Sequence, residues 1–213
     1  MNANESKEGG QEKSLDRRIE FVTGDITDIE ADAIVCPSLF DLDVIYTGVA
    51  GAIMRKGGDK IFAEARAIGE KAKRENPENE FPVPLCSAHL TNAGNLPKAK
   101  YVIHSVAVDF IEDDLGCDAA VVFRSAWNVL EIADANGLSS VAFPALGAGL
   151  YQVPLEQSFG AIAQAADRFF KEHPNTSLKA IKLVSFDPKF PKPSLIEELN
   201  VDQLVRSLRD RNN

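Results

Sequence analysis

Little in this chain points to a membrane, a disulfide framework or a nucleic acid. The 213 residues contain no apolar run of about 18, the length a helix needs to cross a bilayer. Positive charge is scarce, with 23 Lys and Arg against 32 Asp and Glu and a formal net charge of −9. That balance repels a phosphate backbone at long range, and no basic cluster with interleaved aromatics offsets it, so long nucleic acid is not an expected partner. Cysteine is sparse as well. Cys36, Cys86 and Cys117 stand far apart, are odd in number and fit no metal-ligand spacing, so reduced, mostly buried thiols are expected. Met1 to Lys13 lack the basic opening and apolar stretch of a secretory leader. A cytoplasmic protein is expected, without a membrane partner, bound metal or cofactor.

What is present is the composition of a globular protein, 45% hydrophobic and 26% charged, sufficient to bury a core. The length suits one α/β domain with short tails better than two domains. Residues 1–14 show no periodic apolar pattern and are read as a disordered tail. Residues 15–213 are read as a single domain that includes a C-terminal helix.

Short apolar runs at 19–22 (IEFV), 33–36 (AIVC), 86–91 (CSAHLT), 101–108 (YVIHSVAV), 141–146 (VAFPAL) and 181–186 (IKLVSF) read as strands. Gly48 to Lys73 is a long amphipathic stretch broken at Gly57-Gly58, and the proline-rich segment 75–84 is a loop. Val122, Ala126, Val129 and Ala133 recur at helical spacing, with Gly137 where a C-terminal cap belongs. Leu155, Phe159, Ile162, Ala166 and Phe169 form a second stripe, and 194–208 offers a last helix. Strand and helix alternate, which predicts a mainly parallel sheet covered by helices on both faces.

In such sheets ligands bind beyond the carboxyl ends of the strands, so candidate site residues are expected at the junctions there. Gly147-Ala148-Gly149-Leu150-Tyr151 leaves a buried strand and enters a helix near Pro154. Its glycines let the backbone present N–H groups to an anion such as a diphosphate, although a tight turn without a ligand explains the same residues. Asp25, after the first strand, is placed to accept a hydrogen bond from an exocyclic amine, or simply to cap a turn beside Gly24. Phe186 stands either as a base-stacking ring or as a core aromatic. His89 and His104 alternate with apolar neighbours and read as structural. Asp41 and Asp43 read as solvated loop carboxylates, and nothing basic near Cys36 would activate its thiol.

Taken in order, IEFVTGDITDIEADAIV, TGVAGAI with KGGDKI, LTNAGNLPKAKYVIHSV, SSVAFPALGAGLYQVP and LVSFD resemble the macro domain family over about Ile19 to Phe190. The resemblance implies a three-layer α/β/α sandwich around a mixed, mainly parallel sheet, and ADP-ribose as ligand. It implies that Asp25 recognises adenine with Ile26 beside it. Gly48, Val49 and Gly51 belong to a first glycine-rich loop along the phosphates and distal ribose. Gly147, Ala148, Gly149, Leu150 and Tyr151 form the second phosphate loop, and Phe186 packs on the adenine.

The departures matter equally. Hydrolytic members carry an Asn-Ala-Ala-Asn run where this chain has Cys36-Pro37-Ser38-Leu39, and an Asp where it has Ala50, so no catalytic residue is assigned. The segment is instead similar to the non-hydrolysing macro domain of the macro-containing histone variant. The resemblance therefore implies a binding module for ADP-ribose or a related NAD-derived metabolite, free or carried on an ADP-ribosylated protein. Two alternatives stay open: a hydrolase of ADP-ribosyl or O-acetyl-ADP-ribose esters with Asp41 or Asp43 as the substitute carboxylate, and a ligand-free scaffold for protein interaction.

Overall fold

A computed structural model describes residues 15–43, 46–111, 114–190 and 199–211, and every structural statement concerns these. The chain opens with β1 (Ile19–Thr23), a single 3-10 turn (Ile26–Asp28) and β2 (Ala31–Pro37). Two helices follow, α1 (Gly48–Gly57) and α2 (Asp59–Glu75), then β3 (Ala88–Asn92) and β4 (Ala99–Ser105). A small hairpin of β5 (Asp109–Ile111) and β6 (Asp114–Gly116) leads to α3 (Ala119–Ala135), β7 (Ser140–Phe143), α4 (Leu155–Glu172), β8 (Ala180–Ser185) and α5 (Val201–Arg211).

The main sheet has six strands in the order β1-β8-β7-β2-β4-β3. All its pairs are parallel except β3 with β4, which run antiparallel. The two faces follow directly from the period of the strands. On β2, Ala33 and Val35 enter the core shared with Phe123, Phe159, Phe169 and Leu130, while Ile34 and Cys36 enter the opposite core with Ile53, Ile61 and Phe62. On β7, Val141 and Phe143 take the first face and Ala142 the second. Helices α3 and α4 thus cover one side and α1 and α2 the other, which is the expected three-layer sandwich. The partly buried Leu199, Val201, Leu204 and Val205 lay α5 against the first side.

Several expected boundaries move, each for a local reason. The run 101–108 ends as a strand at Ser105; Val106 still bonds both Cys86 and Ser87, but Cys86 takes φ 59 and breaks the regular ladder. The strand at 141–146 stops at Phe143, since Pro144 has no N–H to extend a ladder. The last helix begins at Val201 instead of 194, after Leu199 and Asn200 outside any helix, while 191–198 and the tail 1–14 lie outside the described residues. Gly57-Gly58 separates two helices, with Gly58 at φ 83 between them. The β5–β6 hairpin carries no alternating pattern and was not predicted.

Candidate ligand-binding site

The adjacent parallel strands β1, β8, β7 and β2 all end on one edge of the sheet. The chain leaving them brings together Asp25 and Ile26, Phe186, the turn Gly147 to Tyr151, and the segment that passes Tyr46 into α1. Tyr46, Leu150 and Phe186 are the large hydrophobic side chains left exposed, at 69%, 75% and 67%, and each belongs to one of these junctions. A cluster of uncovered rings and aliphatic surface on a single rim marks a place where something else completes the packing.

Asp25 serves as a cap and as an acceptor together. Its Oδ1 accepts from the Thr27 N–H at 2.9 Å and the Thr27 hydroxyl at 2.6 Å, closing the 3-10 turn that buries Ile26. Its Oδ2 faces the Lys56 ammonium at 3.3 Å, and Lys56 also reaches Asp28 at 2.7 Å. Burial pushes the Asp25 carboxyl up, but the hydrogen bonds from Thr27 and Lys56 outweigh it and hold the group below the ordinary carboxylate range.

The β7–α4 junction is built by the packing of its first glycine. Gly147 sits at φ 74, and a Cβ there would meet Cys117 Sγ at 2.5 Å and Val153 at 2.8 Å, so no other residue fits. Gly149 is different: a Cβ would meet nothing within 4 Å, so the surrounding chain does not require glycine there. Val153 N–H donates to the Gly147 carbonyl and Gln152 N–H to that of Gly149, while the N–H groups of Gly149, Leu150 and Tyr151 have no partner among the described residues. Helix α4 then starts behind Pro154 without a side-chain cap, as α1 does behind Thr47, whereas Asp118 caps α3. Open N–H groups at two helix starts favour an anion. Tyr151 is partly buried against Leu42, Val106 and Leu115, and burial pushes its phenol up.

The first loop lies partly inside α1. Gly48 takes φ 57 with open space around it, and Val49 is partly buried. Gly51 is buried, and a Cβ there would strike the Tyr46 carbonyl at 2.3 Å, so its bareness serves the chain's own packing.

Cys36 is fully buried and its thiol is pushed up to about 12 by burial. Ala50 is 4% exposed within the core beneath α1. Asp41 and Asp43 are drawn to α2: the Asp41 carbonyl crosses so closely that a Cβ on Gly69 would lie 2.2 Å from it, and Asp43 pairs with Arg66 at 3.7 Å. Leu42 between them is wholly buried, which sets the loop's course. The groove lined by these two aspartates, Phe40, Arg66 and Lys73 contains none of the residues at the strand ends. His104 is structural as expected, its ring nitrogens 3.1 Å from the Ser38 and Thr91 hydroxyls, and burial lowers it to about 4. Lys56, Tyr46 and Cys117 were missed by sequence reasoning. Lys56 opens the quoted KGGDKI run and Tyr46 immediately precedes TGVAGAI, but only the fold brings Lys56 to Asp25 and Cys117 under Gly147.

A family model described as Macro domain matches residues 44–162. The chain is 35% identical over 83% of its length to a protein of Thermotoga maritima, of which it spans 28%. It is 32% identical over 80% of its length to the O-acetyl-ADP-ribose deacetylase 1 of Pantoea vagans, covering 92% of that protein. Among solved structures it is similar to a Trypanosoma brucei macrodomain in complex with ADP-ribose, at 25% identity and TM-score 0.64 over 81% of this chain and 66% of that one.

Proposed function

Since the chain belongs to the macro domain family, we propose that it is a binding module for ADP-ribose or a related NAD-derived metabolite, free or carried on an ADP-ribosylated protein, and that it does not turn this ligand over. The observation that carries the reading is the coincidence, on one rim, of the unpartnered N–H groups of Gly149, Leu150 and Tyr151 with the exposed rings of Phe186 and Tyr46. In this reading the N–H groups and the two uncapped helix starts hold the diphosphate. Asp25 accepts from the adenine amine beside Ile26, and Phe186 covers the base. Gly48 and Val49 lie along the phosphates and the distal ribose. Gly51 supports that loop from within, and Gly147 and Ala148 shape the second.

Residues 15–213 act as one domain in this proposal, and the non-hydrolysing branch is favoured by what stands at the critical positions. Ala50 offers no ionisable group, Leu39 no amide, and the Cys36 thiol is held protonated. A general base must come within about 3 Å of the proton it takes, or act through one water. Asp41 and Asp43 are engaged along α2 instead.

Titration calorimetry is the direct test: a micromolar dissociation constant for ADP-ribose, about −8 kcal/mol, is expected, with AMP weaker. Neither heat nor a thermal shift at millimolar ligand would leave the scaffold reading. Asp25→Ala is expected to weaken binding by about 1.5–3 kcal/mol, the range for a hydrogen bond to a charged group.

The deacetylase from Pantoea vagans favours a second reading, hydrolysis of O-acetyl-ADP-ribose or ADP-ribosyl esters. A release assay over hours at high protein concentration separates the two. Robust release that disappears in an Asp41→Ala, Asp43→Ala double variant would make the chain an enzyme with a relocated carboxylate.

A further inference from the structure

The least expected contact at the rim is made by Lys56, in the last turn of α1. Its ammonium lies 3.3 Å from Asp25 Oδ2 and 2.7 Å from Asp28 Oδ2, so one cation joins the first and last acids of the short turn Asp25 to Asp28. Lys56 and Asp28 are both well exposed, at 39% and 55% of their side chains, so solvent screens the pair and its contribution to stability is small. Its geometric effect is larger than its energetic one.

A carboxylate has about four acceptor positions. On Asp25, two are taken by Thr27 and one by Lys56, all within the described residues. One position on Oδ2 is left, and with Oδ1 and Oδ2 both held, its direction is set. Thr27 and Lys56 together hold the Asp25 carboxyl below the ordinary range, so the group is ionised and an acceptor only. An ionised acceptor welcomes an N–H on the facing ligand and opposes a carbonyl oxygen, whereas a protonated carboxyl would serve either.

Lys56 further joins the two halves of the rim. Helix α1 begins at Gly48 and Val49, beside the proposed phosphate site, and is ten residues or about 15 Å long. Its far end is pinned by Lys56 to the turn that carries Asp25.

We propose that Lys56 is a positioning residue that aims the Asp25 carboxylate and thereby sets the preference for a base with an exocyclic amine over one with a carbonyl at the same edge. The inference rests on the binding reading above. Calorimetry with ADP-ribose and with its hypoxanthine counterpart, in which the amine is replaced by a carbonyl, tests it on the parent, Lys56→Met and Lys56→Arg proteins. The parent should prefer the amine. In Lys56→Met, ADP-ribose should bind about two- to fivefold more weakly, and the preference should narrow by the same factor, with the melting temperature unchanged and with recovery in Lys56→Arg. An unchanged preference in Lys56→Met would overturn the inference while leaving the binding module intact. Tighter ADP-ribose binding in that variant would also overturn it, by making Lys56 a competitor for Asp25. A parent that binds neither compound removes the binding reading and this inference together.

Discussion

The two ends of the sheet are built on opposite plans. At the end where the parallel strands begin, polar side chains tie neighbouring segments to one another. Asp32 accepts from the Ser139 N–H at 2.8 Å, from the Ser139 hydroxyl and from Lys100 at 2.8 Å. Asp134 accepts from Thr176 and from the Ser177 N–H, and the Ser177 hydroxyl closes on the Leu138 carbonyl at 2.8 Å. At the other end, N–H groups are left open, two helices start without caps, and Tyr46, Leu150 and Phe186 face outward. One end commits its polar groups to the fold and the other leaves them open where the ligand is proposed to bind, so stability and recognition should be separable by mutation.

Acid should take the two ends apart in sequence, and this is the largest effect expected. His104, buried at the carboxyl end of β4, titrates at about 4 instead of its ordinary 6.5. The unfolded chain therefore takes up that proton first, and stability falls as pH drops from 6.5 to about 4, with no further loss from this group below that. Asp32 titrates at about 2 instead of 3.8, so its contribution is whole above 3.8 and disappears towards pH 2. Urea melts across this range should show two successive declines, with the upper one reduced in His104→Gln and the remainder due to His89, which burial also lowers. A single decline confined below pH 4 would contradict the assignment of the upper step to a neutral buried imidazole.

Asp32→Ala should cost about 2 kcal/mol of folding stability through the loss of charge-assisted hydrogen bonds, without changing ligand affinity. Phe186→Ala should do the reverse. Removing an exposed ring does not lower the melting temperature, while ADP-ribose binding weakens by about 1–2 kcal/mol through lost stacking. If Phe186→Ala destabilises the fold as much as it weakens binding, the ring belongs to the core and the comparison fails. The smallest effect is expected for Gly149→Ala, with a melting temperature near the parent's and a modest loss of affinity. The neighbouring Gly147→Ala must displace Cys117 or Val153 and should lower both.

Much of this division was legible in the sequence, because it follows from period and punctuation. The short apolar runs at 33–36 and 141–146 predicted strands, and the stripes on α3 and α4 predicted their inner sides. The Gly-Ala-Gly turn and Gly24-Asp25 stood out as junctions, since glycine beside a polar residue after an apolar run has few other uses. What stayed hidden was set by contacts between distant segments. Lys56 meets Asp25 across 31 positions, and Cys117 lies under Gly147 across a helix and a strand. The paths of Asp41 and Asp43 depend on Leu42 burying itself against α2, which no local pattern announces. Gly51 was read as a ligand-loop glycine from its place in a motif, although its packing against the Tyr46 carbonyl already accounts for it.

The sulfur beneath the Gly147 turn also makes this protein convenient to instrument. Cys36 and Cys86 are buried, whereas Cys117 is partly exposed and none of the three is in a disulfide. A thiol-reactive dye applied to the native fold should therefore find Cys117 first, placing a reporter against the turn without any engineered cysteine. On the proposed reading, in which the turn holds the diphosphate, its emission should change on adding ADP-ribose, which would make the unmodified chain the scaffold of a single-label optical sensor.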